Sequence, residues 1–170
     1  KDYYPDKIRV EPLTGFPVER DLIFEMEDFM TKLTEMQPYI IRKEGGEKPL
    51  EEGEYLQSPA ELAHYKQYSM CINCMLCYAA CPVYALDSTF IGPAAIALGQ
   101  RYNMDSRDQG RDSRQELIAS HEGIWECTFV GECSAVCPKD VDPAAAIQRA
   151  KVSSTVDWFM DVLIPWGKKK

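Results

Sequence analysis

The chain has 170 residues, a formal net charge of −8 and seven cysteines, a length that supports one ordinary domain with a core, or a domain plus an appendage. The acidic balance argues against a nucleic-acid-binding surface, which needs a basic face to meet phosphate, and no apolar run approaches the roughly 20 residues of a membrane span. The polar, aromatic opening Lys1-Asp2-Tyr3-Tyr4 is not a signal peptide, and without an initiator methionine the chain is expected to be the downstream part of a longer protein.

In chain order, residues 7–12 alternate from Lys7 and Ile8 to Glu11 and end at Pro12 and Gly15, which predicts one isolated strand. From Pro17 the pattern turns helical, with Leu22, Ile23, Met26, Phe29, Met30, Leu33 and Met36 on one stripe, Glu25, Glu27, Asp28 and Lys32 largely opposite, and Pro38 as the stop. Long apolar side chains at this spacing read as core rather than as a cofactor contact. Residues 42–57 carry Gly45, Gly46, Pro49 and Gly53 and predict a surface loop. Ser58, Pro59 and Glu61 spell a helix start, and a short helix to about Tyr68 delivers the chain to Cys71. His64 on that helix, and His121 later, read as structural histidines because the cysteines already make a complete ligand set.

Residues 71–82 read Cys-Ile-Asn-Cys-Met-Leu-Cys-Tyr-Ala-Ala-Cys-Pro. Three thiolates at steps of three wrap one iron-sulfur cube, and the fourth, before the proline, reaches across to another cluster. Residues 127–138 repeat the run with Val130 in the second cysteine's place. Valine offers iron no lone pair, so one corner of that cluster lacks a side-chain ligand. Exchanging the fourth cysteines gives Cys71, Cys74, Cys77 and Cys137 to a 4Fe-4S cluster and Cys81, Cys127 and Cys133 to a 3Fe-4S cluster, which uses every thiol. A disulfide framework would favour an even count, and structural zinc favours separated CxxC pairs over an overlapping triple. Thiols held as cluster ligands point to a reducing compartment.

After each Cys-Pro the chain opens a small-residue helix, first at Gly92 and Pro93 with Ala94 to about Tyr102, then at Asp142 and Pro143 with Ala144, Ala145, Ala146 and Ile147. This is an internal two-fold repeat. Between the halves, Arg101, Asp105, Arg107, Asp108, Arg111 and Asp112 read mostly as a solvated or interface charge network. Residues 156–170 combine Trp158, Phe159, Val162, Leu163, Ile164 and Trp166 with three terminal lysines, which suits a partner or membrane interface better than a core.

The matching stretches Phe16-Pro17-Val18-Glu19-Arg20-Asp21-Leu22, Cys71-Ile72-Asn73-Cys74, Cys77-Tyr78-Ala79-Ala80-Cys81-Pro82, Phe90-Ile91-Gly92-Pro93-Ala94-Ala95, Arg101-Tyr102-Asn103, Asp105-Ser106-Arg107-Asp108, Cys127-Thr128-Phe129-Val130-Gly131 and Cys137-Pro138-Lys139 run in order over nearly all of residues 7–152. On them the sequence resembles the iron-sulfur subunit of the fumarate reductase and succinate dehydrogenase family. The resemblance implies an all-α, helical two-cluster ferredoxin domain at residues 17–155. Residues 1–16 would be the residual strand of a missing plant-type 2Fe-2S domain, and residues 156–170 a tail toward a partner or membrane anchor. It further implies a flavoprotein partner carrying FAD and the dicarboxylate site, membrane-anchor subunits, and a quinone, with menaquinone expected, near the 3Fe-4S cluster. The complex would lie on the cytoplasmic face of the inner membrane. Leu86 and Thr128 stand where the succinate dehydrogenase branch has tryptophan and histidine, which favours quinol:fumarate reductase over the same relay run in reverse. Lys151 and Gln148, three apart on one helical face, with Pro82 and Thr128, are the quinone-contacting residues the resemblance implies. Other two-cluster subunits, such as those of anaerobic glycerol-3-phosphate dehydrogenase or heterodisulfide reductase, keep both full cysteine runs, and Val130 argues against them. A zinc-binding interaction module is the non-redox alternative.

Overall fold

The structure, a computed structural model, describes residues 8–163 apart from Glu44 and Glu47. Regular structure in it is mostly helical. The strand expected within residues 7–12 is not seen among the described residues. Lys7 lies outside the described residues, and residues 8–13 are irregular with Ile8 and Val10 exposed. Alternation alone cannot hold a strand that has no neighbour to satisfy its backbone groups.

The helix expected from Pro17 is also shorter at its start. Residues β1 (Val18–Arg20) and β2 (Ile23–Phe24) pair antiparallel, turning at Asp21 with φ 53°, and Glu25 N–H donates to the Pro17 carbonyl at 2.8 Å. Helix α1 (Glu27–Glu35) begins only after this hairpin. Leu22, Ile23 and Met26 fit a helical stripe by spacing, yet they sit exposed on the hairpin and its exit. What the hairpin buries is Phe16, whose ring lies 5.3 Å from Phe24, 5.7 Å from Tyr84 and 6.4 Å from Tyr78.

Residues 42–57 form the expected loop, interrupted by one short 3-10 turn at Leu50–Glu52. Helix α2 (Pro59–Tyr65) starts on the anticipated capping box, with Glu61 N–H donating to Ser58 Oγ at 3.2 Å and Ser58 N–H to Glu61 Oε2 at 2.8 Å. It ends at Tyr65, and a 3-10 turn at Tyr68–Met70 carries the chain on to Cys71.

Helix α5 (Pro93–Asn103) is the centre of the molecule, buried along most of its length. It packs on α8 (Pro143–Leu163), on α6 (Arg111–Ile118) and on α1 and α2. Ala94, Ala95 and Ala97 on α5 and Ala144, Ala146 and Ala150 on α8 are all buried, and side chains this small let two backbones approach closely. Gly92, before α5, has φ 97° and ψ 163°, a combination only glycine holds without strain. A β-carbon there would lie 2.1 Å from the Tyr78 ring, whose hydroxyl donates to the Ile91 carbonyl at 2.7 Å.

The central charges, expected mostly as a solvated or interface network, are in part buried within the chain. The Asp105 side chain is 0 % exposed and accepts from Arg107 Nε at 2.9 Å, Arg101 Nη1 at 3.1 Å and Gln57 Nε2 at 3.0 Å. Arg114, also 0 % exposed, clamps Asp108 through both guanidinium ends at 2.7 and 2.9 Å. It also donates to the carbonyls of Gln37 at 2.9 Å and Tyr39 at 2.6 Å, which pins the segment after α1 to α6. Burial alone would raise the Asp105 and Asp108 carboxyls, but hydrogen bonds from Arg107 and Arg114 respectively outweigh it and hold both below the usual carboxylate range. Arg111 and Asp112 do stay at the surface, paired with Asp157 at 2.6 Å and Lys43 at 3.2 Å.

Three outcomes are expected. Arg114→Ala strands a buried carboxylate and is expected to cost about 3–5 kcal/mol in chemical denaturation, whereas Arg111→Ala changes stability by less than about 0.5 kcal/mol. Because the folded carboxyls sit below their unfolded value of about 3.9, the stability they contribute is present above that pH and is lost as pH falls below it. Gly92→Ala is expected to lower the thermal midpoint by more than Ala95→Gly, since it adds both backbone strain and a clash with a buried ring.

Candidate metal centre

The two cysteine runs fold alike. Counting from the leading cysteine, the second and fourth residues on are left-handed in both: Asn73 (φ 54°) and Met75 (φ 61°) in the first run, Phe129 (φ 61°) and Gly131 (φ 88°) in the second. These turns curl each loop, and a one-turn helix follows at the same offset, α3 (Leu76–Ala79) and α7 (Glu132–Ala135). Helix α4 (Pro82–Leu86) leaves the first run with Cys81 as its N-cap and proline in its first turn.

Each loop closes on a cavity. Cys71, Cys74, Cys77 and Cys137 line one, with Met75, Ala94, Lys139 and Pro143 among its walls. Cys81, Cys127 and Cys133 line the other, together with Val130, Pro82, Thr128 and Ile147. The fourth cysteine of each run therefore stands in the wall of the cavity that the other run builds, and Val130 stands in the wall of the cavity with three thiols. All seven cysteines are unbridged.

Burial pushes the Cys133 thiol up to about 11, and pushes Cys71 and, most strongly, Cys77 upward as well, with neighbouring thiols adding to the effect on Cys77. Buried thiols crowded in this way ionise only against a positive charge, which bound iron supplies. Among the described residues no three His, Cys, Asp or Glu side chains converge on a point where a single ion could sit. Thiols ringed around a cavity fit a polynuclear cluster better than a zinc tetrahedron. His64 and His121 are exposed, and His121 pairs with Glu126 at 3.1 Å, so neither belongs to the donor set.

The residues expected at a quinone are partly gathered. Pro82 and Thr128 are exposed on the wall of the three-thiol cavity. Lys151 Nζ donates at 2.8 Å to the carbonyl of Cys127, itself a residue of that wall. Gln148 lies one helical turn before Lys151, and its amide nitrogen is buried without a partner. Sequence reasoning missed Trp125, whose ring centroid lies 6.0 Å from the Lys151 ammonium and whose indole N–H donates to the Ala119 carbonyl at 3.2 Å. It closes a π-type turn at His121–Trp125, which has no compositional signature in the sequence. Beyond Lys151, the last turns of α8 expose Val156, Trp158, Phe159, Val162 and Leu163. Ile164 and Trp166 lie outside the described residues.

Cavities walled by thiols from two like loops define a two-cluster iron-sulfur domain, and residues 67–141 match the family model described as a 4Fe-4S dicluster domain. The chain is 58 % identical over 166 residues to the fumarate reductase iron-sulfur subunit of Mycobacterium tuberculosis, covering 98 % of this chain and 66 % of that protein. It is 47 % identical over 172 residues to the fumarate reductase iron-sulfur subunit of Haemophilus influenzae, covering 96 % and 67 %. The fold matches a chain of the Mycobacterium smegmatis Sdh1 complex in the apo form with a TM-score of 0.76 at 23 % identity, over 88 % of this chain and 62 % of that one. The chain belongs to the fumarate reductase and succinate dehydrogenase iron-sulfur subunit family, and it spans about two thirds of the length of these relatives.

Proposed function

We propose that the chain relays electrons as the iron-sulfur subunit of a membrane-associated quinol:fumarate reductase. In this reading Cys71, Cys74, Cys77 and Cys137 hold a 4Fe-4S cluster and Cys81, Cys127 and Cys133 hold a 3Fe-4S cluster, within a helical ferredoxin-type domain at residues 17–155. The observation that carries it is the sorting of the seven thiols into one cavity of four and one of three, with Val130 in the wall of the latter. When bound, the clusters supply one-electron carriers. The protein's own part is to fix them close together, keep water away with Met75, Phe90, Ala94 and Ile147, and balance their charge. A flavoprotein partner would carry FAD and the dicarboxylate chemistry.

No helix among the described residues is long and apolar enough to cross a membrane. Contact with membrane-anchor subunits is assigned to the last turns of α8, whose apolar side chains are exposed beyond Lys151. Lys151 offers a cation, Gln148 an unpaired amide donor and Thr128 a hydroxyl to the oxygens of a quinone, with menaquinone expected. Leu86 and Thr128, both exposed, favour quinol oxidation coupled to fumarate reduction over the succinate dehydrogenase direction.

Val130→Cys tests the cluster assignment. The oxidised wild-type protein is expected to show the EPR signal of a 3Fe-4S centre, and the variant to lose it in favour of a 4Fe-4S cluster of lower potential. A wild-type protein without that signal, or a variant that retains it, would refute the vacant corner. Lys151→Ala tests the quinone site in the intact complex. Quinol oxidation is expected to slow roughly 100-fold or more, as for loss of one oxyanion-type donor, while fumarate reduction from an artificial donor and both cluster signals persist.

A further inference from the structure

Because the two cysteine runs share one backbone course, a position at which they differ is an internal comparison. The second residue after the leading cysteine is left-handed in both, yet it is Asn73 in one run and Phe129 in the other. Asparagine suits that conformation better than most residues, but Phe129 shows that the loop does not depend on it. Asn73 offers what Phe129 cannot, a polar group at sulfur, since its Oδ1 lies 3.5 Å from Cys71 Sγ. With Cys71 as a thiol, the S–H donates to that oxygen. As a ligand to iron Cys71 is a thiolate with no proton to give, and a carbonyl oxygen facing it is repelled. Turning the amide over exchanges Oδ1 for Nδ2, a donor of nearly the same shape, and Asn73's side chain has no other hydrogen bond among the described residues to resist the turn.

We propose that Asn73 Nδ2 donates a hydrogen bond to the Cys71 thiolate and thereby raises the reduction potential of the four-cysteine cluster, making Asn73 a positioning residue that the second run lacks. This rests on the assignment of Cys71 to that cluster. Reduction adds one electron and no proton, so the cluster and its thiolates become more negative by one charge. A donor hydrogen bond to a thiolate strengthens as that charge builds and stabilises the reduced form over the oxidised one. Cys71 stands between a cavity walled by Ile72, Met75, Leu76, Ala97 and Lys139 and a second one that it shares with Asn73 and Arg101, so the Asn73 amide adds the contribution of one bond to that of two cations.

The test is an EPR-monitored potentiometric titration of the intact complex with dithionite as reductant. Asn73→Gly keeps the left-handed backbone accessible and removes the donor, and Asn73→Leu keeps the bulk and removes the donor. Each is expected to lower the reduced-to-oxidised ratio of the four-iron cluster about fivefold at the wild-type midpoint, the worth of one hydrogen bond, while the three-iron cluster titrates as in wild type. Wild-type midpoints in both variants with the four-iron signal intact would overturn the proposal. Loss of that signal in both would also overturn it, in favour of a purely structural role, whereas loss in one leaves the other to decide. A four-iron signal that survives Cys71→Ala would instead mean that the ligand assignment is wrong, an outcome separate from any shift caused by Asn73.

Discussion

Cys81 and Cys137 each leave the loop that carries them and enter the wall of the cavity made by the other loop. Most of the structure is arranged to allow this exchange. The loops must lie side by side, so α3 and α7 are in contact. The helices that follow must cross at short range, which is why α5 and α8 meet through alanines. A chain bound in this way has no half that is complete alone. Once metal is bound, its binding free energy becomes folding free energy for both halves.

Second in rank come the polar ties that hold the remaining segments against this centre. Arg114 does so for the residues after α1, and Asp105, held by its chain neighbours Arg101 and Arg107, ties in Gln57 from the stretch before α2. Buried ion pairs of this kind are costly unless every charge is met, and here each carboxylate accepts from more than one donor. They add geometric definition to a core whose central α5–α8 contact is made largely by alanines.

The cysteine pattern, the capping box at Ser58 and the helices opening at Pro93 and Pro143 were legible because each is set by local spacing. The hairpin at Val18–Phe24 was not, because Leu22, Ile23 and Met26 also satisfy a helical period and only the packing of Phe16 against Tyr78 and Tyr84 decides between them. The burial of Asp105 and Arg114 was hidden for a similar reason. A charged stretch reads as solvated until distant residues, Gln37, Tyr39 and Gln57, are seen to cover it. Trp125 was overlooked because its role depends on Lys151, which comes 26 positions later in the chain.

Helix α8 runs without a break from Pro143 to Leu163, about 30 Å at 1.5 Å per residue. Its first turns wall the thiol cavities, its middle carries Lys151, and its end is apolar and exposed. Adding or deleting one residue anywhere between would rotate the outer end by about 100° relative to the cavities. Evolution can therefore vary the side chains along this rod but not its length, and insertions should collect instead in residues 42–57, where the backbone is a loop on the surface.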